Sequence, residues 1–212
     1  MSGRIEEYRG ARIVVRFDDA KCIHSRHCVL EQPAVFEGNV KGPWIHPDAA
    51  PPEAAVGVAH NCPSGAITYE RLDGGAQESA PAINTAQVRE NGPLALHAEL
   101  HIDGKPAGFR ATLCRCGASK NKPWCDTSHV AIAFTASGEP ATQPSEPLAR
   151  RNGPLKVAPS KNGPLEVIGS LEICSGTGRT IHRTQKTYLC RCGGSSNKPY
   201  CDGTHKKIGF TA

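Results

Sequence analysis

The chain has 212 residues, room for one large domain or two to three small ones. Leu, Ile, Val and Phe supply 39 of them, roughly 18%, under the ~20% at which burial alone commonly sustains a fold. A net charge of only +5, from 25 basic and 20 acidic residues, nevertheless excludes a highly charged disordered chain. Something besides apolar packing must then order it, and the ten cysteines are the candidate.

Residues 1–72 form a first unit. Its opening stretch MSGRIEEYRGARIVVRF is charged throughout, unlike a secretory signal, so a reducing, cytoplasmic setting is expected and disulfides are not. Nowhere do about 18 apolar residues run together, so no membrane span is expected. Ile13, Val15 and Phe17 alternate as a strand, 51–60 reads as a short Ala-rich helix and 66–71 as a closing strand. Cys22, Cys28 and Cys62 belong to this unit. Residues 73–90 are small and polar and read as a spacer.

A repeat follows. Residues 113–136 and 189–212 align without a gap at an offset of 76, with 16 of 24 positions identical. Upstream the match resumes at offset 71, pairing Asn91-Gly92-Pro93-Leu94 with Asn162-Gly163-Pro164-Leu165 and Ile102 with Ile173, so the second copy carries five extra residues. Leu94, Leu96, Ala98, Leu100 and Ile102 alternate with period two, as do Leu165, Val167, Leu171 and Ile173. With turn signals at Asp103-Gly104 and Ser175-Gly176, each copy reads as a hairpin whose second strand ends at Cys114 or Cys190, and whose turn absorbs the extra residues. Between the copies, 137–161 holds five prolines and reads as an extended linker.

Each copy carries C-x-C-x8-C-x3-H: Cys114, Cys116, Cys125 and His129, then Cys190, Cys192, Cys201 and His205. Three thiolates and an imidazole make a four-ligand metal set, and an i, i+4 step from cysteine to histidine would place both on one face of a helical turn. These ligands alone leave zinc and iron–sulfur open. The second copy, with Cys190, Cys192, Ser195, Pro199, Cys201, Asp202, Gly203, Thr204 and His205, resembles the CDGSH iron–sulfur family of mitoNEET-like proteins throughout. The first resembles it with Ser119, Pro123 and Asp126-Thr127-Ser128-His129, where Thr127 stands in place of the family's glycine. The resemblance implies one 2Fe-2S cluster per copy, two cysteines on one iron and a cysteine with the histidine on the other. Family members are commonly two-fold homodimers, so two modules at 91–136 and 162–212 imply a pseudo-two-fold pair made within one chain, and a monomer.

Exchange of a thiolate for histidine raises a cluster's potential, and acid competes for the imidazole. Asp126 and Asp202 read as helix caps that brace the ligand loop. Arg115, Arg191, Lys122 and Lys198 sit inside the ligand loops and either offset cluster charge or stay solvated.

Cys22-x5-Cys28 with the remote Cys62-Pro63 resembles the divergent mono-cluster ferredoxins over about residues 8–71. Three cysteines suit a 3Fe-4S cluster; a 4Fe-4S cluster needs a fourth ligand, for which His24, Ser25, His27 and His60 are nearest. Cys174 has no counterpart in the first copy and reads as an incidental thiol in a turn, while His97, His101 and His182 lie at no ligand spacing.

The expectation is an α+β chain, with a small ferredoxin-like domain followed by two β-rich modules. It carries three iron–sulfur clusters in electron transfer, with cluster storage or delivery as the alternative and a zinc-stapled interaction module as a third reading. No phosphate loop, nucleophile elbow or nicotinamide fingerprint points to an enzyme. Formally, two centres at −1 and a three-thiolate 3Fe-4S centre at −2 would take the +5 to about +1, so the basic residues serve metal sites rather than nucleic acid. The expected partners are a redox protein or an apo iron–sulfur acceptor.

Overall fold

A computed structural model of the protein describes residues 4–212. The chain is α+β, mostly sheet, and divides into two compact units, the first ending at Ser79 and the second spanning Ala80–Ala212. No described helix is long and apolar enough to cross a membrane.

In the first unit β1 (Ile5–Arg9), β2 (Ile13–Asp18) and β3 (Ile67–Arg71) form an antiparallel sheet in the order β1-β2-β3. Between β2 and β3 lie the short helix α1 (His27–Glu31) and the longer α2 (Pro52–Asn61). Ile13 and Val15 on β2, Ile67 and Tyr69 on β3 and Ala55, Val58 and Ala59 on α2 pack into one core with Phe36 and Ile45. The predicted strand at 13–17, helix at 51–60 and strand at 66–71 are all present, each within a residue or two. Proline at the start of α2 costs no helical hydrogen bond, because the first N–H groups of a helix have no partner within it.

The second unit is built on β4 (Thr85–Val88), β5 (Leu94–His97), β6 (Glu99–Ile102), β7 (Lys105–Pro106) and β8 (Arg110–Leu113), then the helical turn α3 (Ser128–Ala131). It continues with β9 (Pro154–Pro159), β10 (Leu165–Cys174), β11 (Thr180–Leu189) and the turn α4 (Thr204–Lys207). Its sheet runs β7-β6-β9-β10-β4-β5-β8, with β11 also on β10. Both stretches expected to be irregular contribute strands: β4 lies inside 73–90 and β9 inside 137–161. Leu155 and Val157 of β9 are buried, and the strand sits between β6 and β10 with its two prolines at its ends, where a missing N–H is tolerated.

At offset 71, β9 is the counterpart of β4, and the two copies exchange pairings. His101 on β6 pairs in parallel with Lys156 on β9, and Glu172 on β10 pairs in parallel with Thr85 on β4. The strand expected over 94–102 is broken at Ala98, whose N–H bonds Phe109, while its counterpart in β10 runs through a bulge at Gly169. Gly169 has φ +130, and a Cβ there would lie 2.6 Å from the Pro154 carbonyl oxygen. Most of the five extra residues fall in the turn, as expected, where 175–179 stands in place of Asp103-Gly104, and the rest lengthen the flanking strands. Cys174 is a buried strand-end residue and not part of a turn.

Although large apolar residues are scarce, the second unit concentrates them. Leu94, Leu96, Leu100, Leu113, Leu155, Leu165, Leu171, Ile173 and Ile181 are all at most 1% exposed in one core. The expectation that metal must substitute for an apolar core is therefore corrected: the sheet has its own core, and the ligand loops lie at its end.

Candidate metal centres

In each copy the last strand feeds the first two cysteines. Cys114 follows β8 and Cys190 follows β11, and their Sγ atoms lie 3.7 Å from Cys116 and 3.8 Å from Cys192. The other pair forms across the following loop, with Cys125 Sγ 3.5 Å from His129 Nδ1 and Cys201 Sγ 3.4 Å from His205 Nδ1.

Two ligands at the tetrahedral angle on one metal, with metal–sulfur about 2.3 Å and metal–nitrogen about 2.05 Å, stand about 3.8 Å apart for S and S and about 3.5 Å apart for S and N. All four separations match, so each copy presents two chelating pairs, one S,S and one S,N. Among the described residues no group of three or more donors is gathered for a single ion. The donor set fits a binuclear centre held by one pair at each end.

The histidine does not reach the cysteine along a helix face, as the spacing predicts. Cys125 and Cys201 precede the helical turns, and the residue capping each turn, Thr127 or Gly203, is left-handed, with φ 68° and 85°. Gly203 adopts this freely, whereas a β-branched threonine pays about 1–2 kcal/mol, so the departure at 127 strains the first copy locally.

Asp126 Oδ1 accepts the Ser128 N–H at 3.0 Å and Oδ2 the Lys120 N–H at 2.7 Å. Asp202 does the same with Thr204 at 3.0 Å and Ser196 at 2.8 Å. Each carboxylate thus ties the loop between the second and third cysteines to the turn carrying the histidine. The Thr204 side chain, together with these N–H bonds and the Ser196 hydroxyl, holds the Asp202 carboxyl well below the usual carboxylate range. Ser119 and Ser195, both buried, donate to the carbonyls of Trp124 and Tyr200 and shape the same loops. Both loops contain cis X-Pro bonds, at Lys122-Pro123 and Lys198-Pro199.

The arginines between the cysteines are buried, which sets aside the solvated alternative for them. Arg115 is 1% exposed and donates to the carbonyls of Arg89 (2.5 Å), Gly92 (2.9 Å), Ala136 and Ser137 (both 3.0 Å), with its guanidinium 5.6 Å from the Phe134 ring centre. Arg191 donates to Ser160 (2.6 Å) and Gly163 (3.0 Å) and lies over Phe210. Arg115 therefore hydrogen-bonds the tail after the histidine to the Asn-Gly-Pro-Leu turn, while Arg191 hydrogen-bonds its turn and meets its tail through the Phe210 ring. The asparagine of that turn completes the clasp, as Asn91 Oδ1 accepts from Ala136 and Asn162 Oδ1 from Ala212, both at 2.9 Å. Lys122 and Lys198 donate to Ser119 and Ser195 carbonyls within their own loops. A charged residue in a polar loop gives no sequence signal of burial; the twofold recurrence of Arg between the cysteines is the one available hint.

The copies meet at their second cysteines, where Cys116 and Cys192 form an isolated backbone bridge. A Cβ on Gly117 would lie 2.5 Å from the Cys192 carbonyl oxygen, and one on Gly193 would collide with that of Cys116, so both positions require glycine. Burial pushes the Cys125 thiol up to about 11 and moves the His129 imidazole down. Before a metal binds, the thiol is protonated and the imidazole neutral.

In the first unit Cys22, Cys28 and Cys62 line one cavity of about 710 Å³ with Phe17, Trp44 and the 23–30 segment. Burial raises the thiol pKa of Cys22 and of Cys28. Of the four fourth-ligand candidates, His24, Ser25 and His27 line the cavity and His60 does not. His60 bonds the Tyr69 hydroxyl at 3.0 Å, His27 the Glu31 carboxylate at 2.8 Å, and His24 Nδ1 stands 3.9 Å from Cys22 Sγ. The cavity can hold a polynuclear cluster on three thiolates.

These thiolate and imidazole sets define an iron–sulfur protein. Residues 8–72 match the family described as divergent 4Fe-4S mono-cluster, and residues 91–130 and 162–206 match the iron-binding zinc finger of CDGSH type. The chain belongs to both families, through its first unit and its two repeats respectively. It is similar to the uncharacterized protein YjdI of Escherichia coli strain K12, 39% identical over 69 residues, 32% of this chain and 90% of YjdI. YjdI of Escherichia coli O157:H7 matches equally. No solved structure matches the chain significantly.

Proposed function

We propose that the protein is an electron carrier rather than a catalyst. It holds one 2Fe-2S centre at Cys114, Cys116, Cys125 and His129, a second at Cys190, Cys192, Cys201 and His205, and a 3Fe-4S or 4Fe-4S centre at Cys22, Cys28 and Cys62. The single observation that carries this is the pair of S,S and S,N separations repeated in both copies. Reciprocal pairing of β6 with β9 and β10 with β4, and the bridge between Cys116 and Cys192, support an internal pseudo-two-fold arrangement, and with it a monomer.

A bound iron–sulfur centre supplies one-electron storage with little change of geometry. The chain's own residues do the rest. Cys125 surrenders its thiol proton to bind, and His129 and His205 each present Nδ1 beside a cysteine sulfur. Asp126 and Asp202 hold the ligand loops in place, and Arg115 and Arg191 bring positive charge beside thiolates without a carboxylate bonded to them.

The test is anaerobic purification of the full chain, followed by visible absorption, electron paramagnetic resonance and assay of iron, sulfide and zinc. About seven or eight irons per chain, with reversible reduction and full retention of iron, are expected. A colourless protein with stoichiometric zinc overturns the proposal. Cluster delivery is the second reading, favoured by histidines on four-residue turns flanked by the exposed Val130 and Ile208. Rapid transfer to an apo-ferredoxin would establish it.

A further inference from the structure

The two copies share their ligands but not their surroundings. Immediately before the clasping asparagines, the first copy has Arg89-Glu90 and the second Ser160-Lys161. Immediately after the histidines, the first has Val130-Ala131 and the second Lys206-Lys207, on the helical turn itself. These segments lie at the sites. Glu90 accepts from the Gly138 N–H, directly after the tail that Arg115 holds. On the other side, a Cβ on Gly163 would lie 3.7 Å from His205 Nε2, so the turn containing Lys161 abuts that imidazole.

Across the matched segments 89–91 with 113–136, the first copy has four basic residues (Arg89, Arg115, Lys120, Lys122) against Glu90 and Asp126, net +2. Across 160–162 with 189–212, the second has five (Lys161, Arg191, Lys198, Lys206, Lys207) against Asp202, net +4. In addition Lys122, though from the first copy, places its amine 5.8 Å from the Phe210 ring centre in the second.

We propose that the two centres are electrochemically unequal, and that the first electron to enter the pair resides at the His205 site. This rests on the reading of both sites as 2Fe-2S centres. One electron from a solution reductant such as dithionite lowers the charge of the site that takes it by one, and nearby cations stabilise the reduced form. At about 10 Å in a water-like dielectric each unit charge biases the partition about twofold, rising as the dielectric falls. Two net charges give a four- to tenfold preference, about 35–59 mV for a one-electron couple.

The experiment is an equilibrium redox titration of the full chain, followed by visible absorption and electron paramagnetic resonance, in wild type and in two charge variants. Neither alters a ligand. Two waves are expected in wild type. K206Q/K207Q should lower the upper wave alone, and Glu90→Gln, which keeps an acceptor for Gly138, should raise the lower wave alone. Raising the ionic strength should narrow the separation, because these side chains are exposed. A merely structural change would alter cluster content without moving either potential in an ordered way. A single two-electron wave, or K206Q/K207Q acting on the lower wave, overturns the inference while leaving two 2Fe-2S centres in place. Absence of iron–sulfur absorption instead overturns the reading beneath it.

Discussion

Replacing Arg115 by methionine keeps the length of the side chain and removes its charge and donors. In the native protein that guanidinium supplies four bonds to main-chain carbonyls, which hold the 134–137 tail against the 89–92 turn. Hydrogen bonds from a charged group contribute about 1.5–3 kcal/mol each, but the charge's own burial is costly and the freed carbonyls of the tail can reach water. A net loss of about 3 kcal/mol follows. Arg191 makes two hydrogen bonds, both to the 160–163 turn, and meets the tail through the Phe210 ring, so Arg191→Met should cost about half as much. Amide hydrogen exchange on the full chain, read in peptides covering 129–137 and 205–212, measures both. Protection should fall by about two orders of magnitude in the first peptide for R115M and about tenfold in the second for R191M, at 1.36 kcal/mol per decade. Equal losses in the two variants, or a loss under threefold in R115M, would refute the assignment of the tail's order to these bonds.

Exchange of His205 for cysteine should lower the potential of its site and slow loss of visible absorption below pH 6, because a proton no longer competes through an imidazole. In the metal-free protein Cys125 and His129 contribute two flanks to the pH dependence of stability. The raised thiol pKa, about 11, means the folded form binds the proton more tightly, so stability is full below about pH 9 and falls between there and pH 11. The lowered imidazole pKa means stability is full above about pH 6.5 and falls as the pH drops through the folded value. Urea titrations at fixed pH should trace this plateau with two flanks. Chelation of the metals should strip protection from 114–136 and 190–212 while leaving β4, β5, β9 and β10 protected, since Leu94, Leu155 and Leu165 are buried independently of the ligands. Thr127→Gly should stabilise the first copy by about 1 kcal/mol in the same titrations, less whatever the Thr127 hydroxyl gains from the Asp126 carbonyl at 2.6 Å.

Much of the site was legible because metal ligation is local in sequence: the repeat, the C-x-C pairs and the following histidines are read from spacing alone. β2, α2 and β3 were legible for a similar reason, since periodicity or composition marks each within its own few residues. β4 and β9 were not. Each is short, and β9 begins and ends in proline; what makes Pro154–Pro159 a strand is its place between β10, its hairpin neighbour, and β6, whose paired residues lie 55 positions upstream. The helical reading of Cys125 to His129 failed because a four-residue step cannot reveal a left-handed residue inside it, and Thr127 gives no glycine to signal one. For Arg115 and Arg191 the sequence left charge compensation and solvation both open, because their partners are carbonyls, to which sequence patterns are blind.

The reciprocal exchange of strands has a consequence for assembly. A chain holding one copy would leave β4 and β6 each with a bare edge that only another copy could cover, and its sheet would come apart on dilution. Joining two copies in one polypeptide makes that closure intramolecular, at an effective concentration fixed by the intervening segment rather than by how much protein the solution contains. The paired metal sites should therefore stay together at nanomolar protein, with no partner to wait for and none to lose.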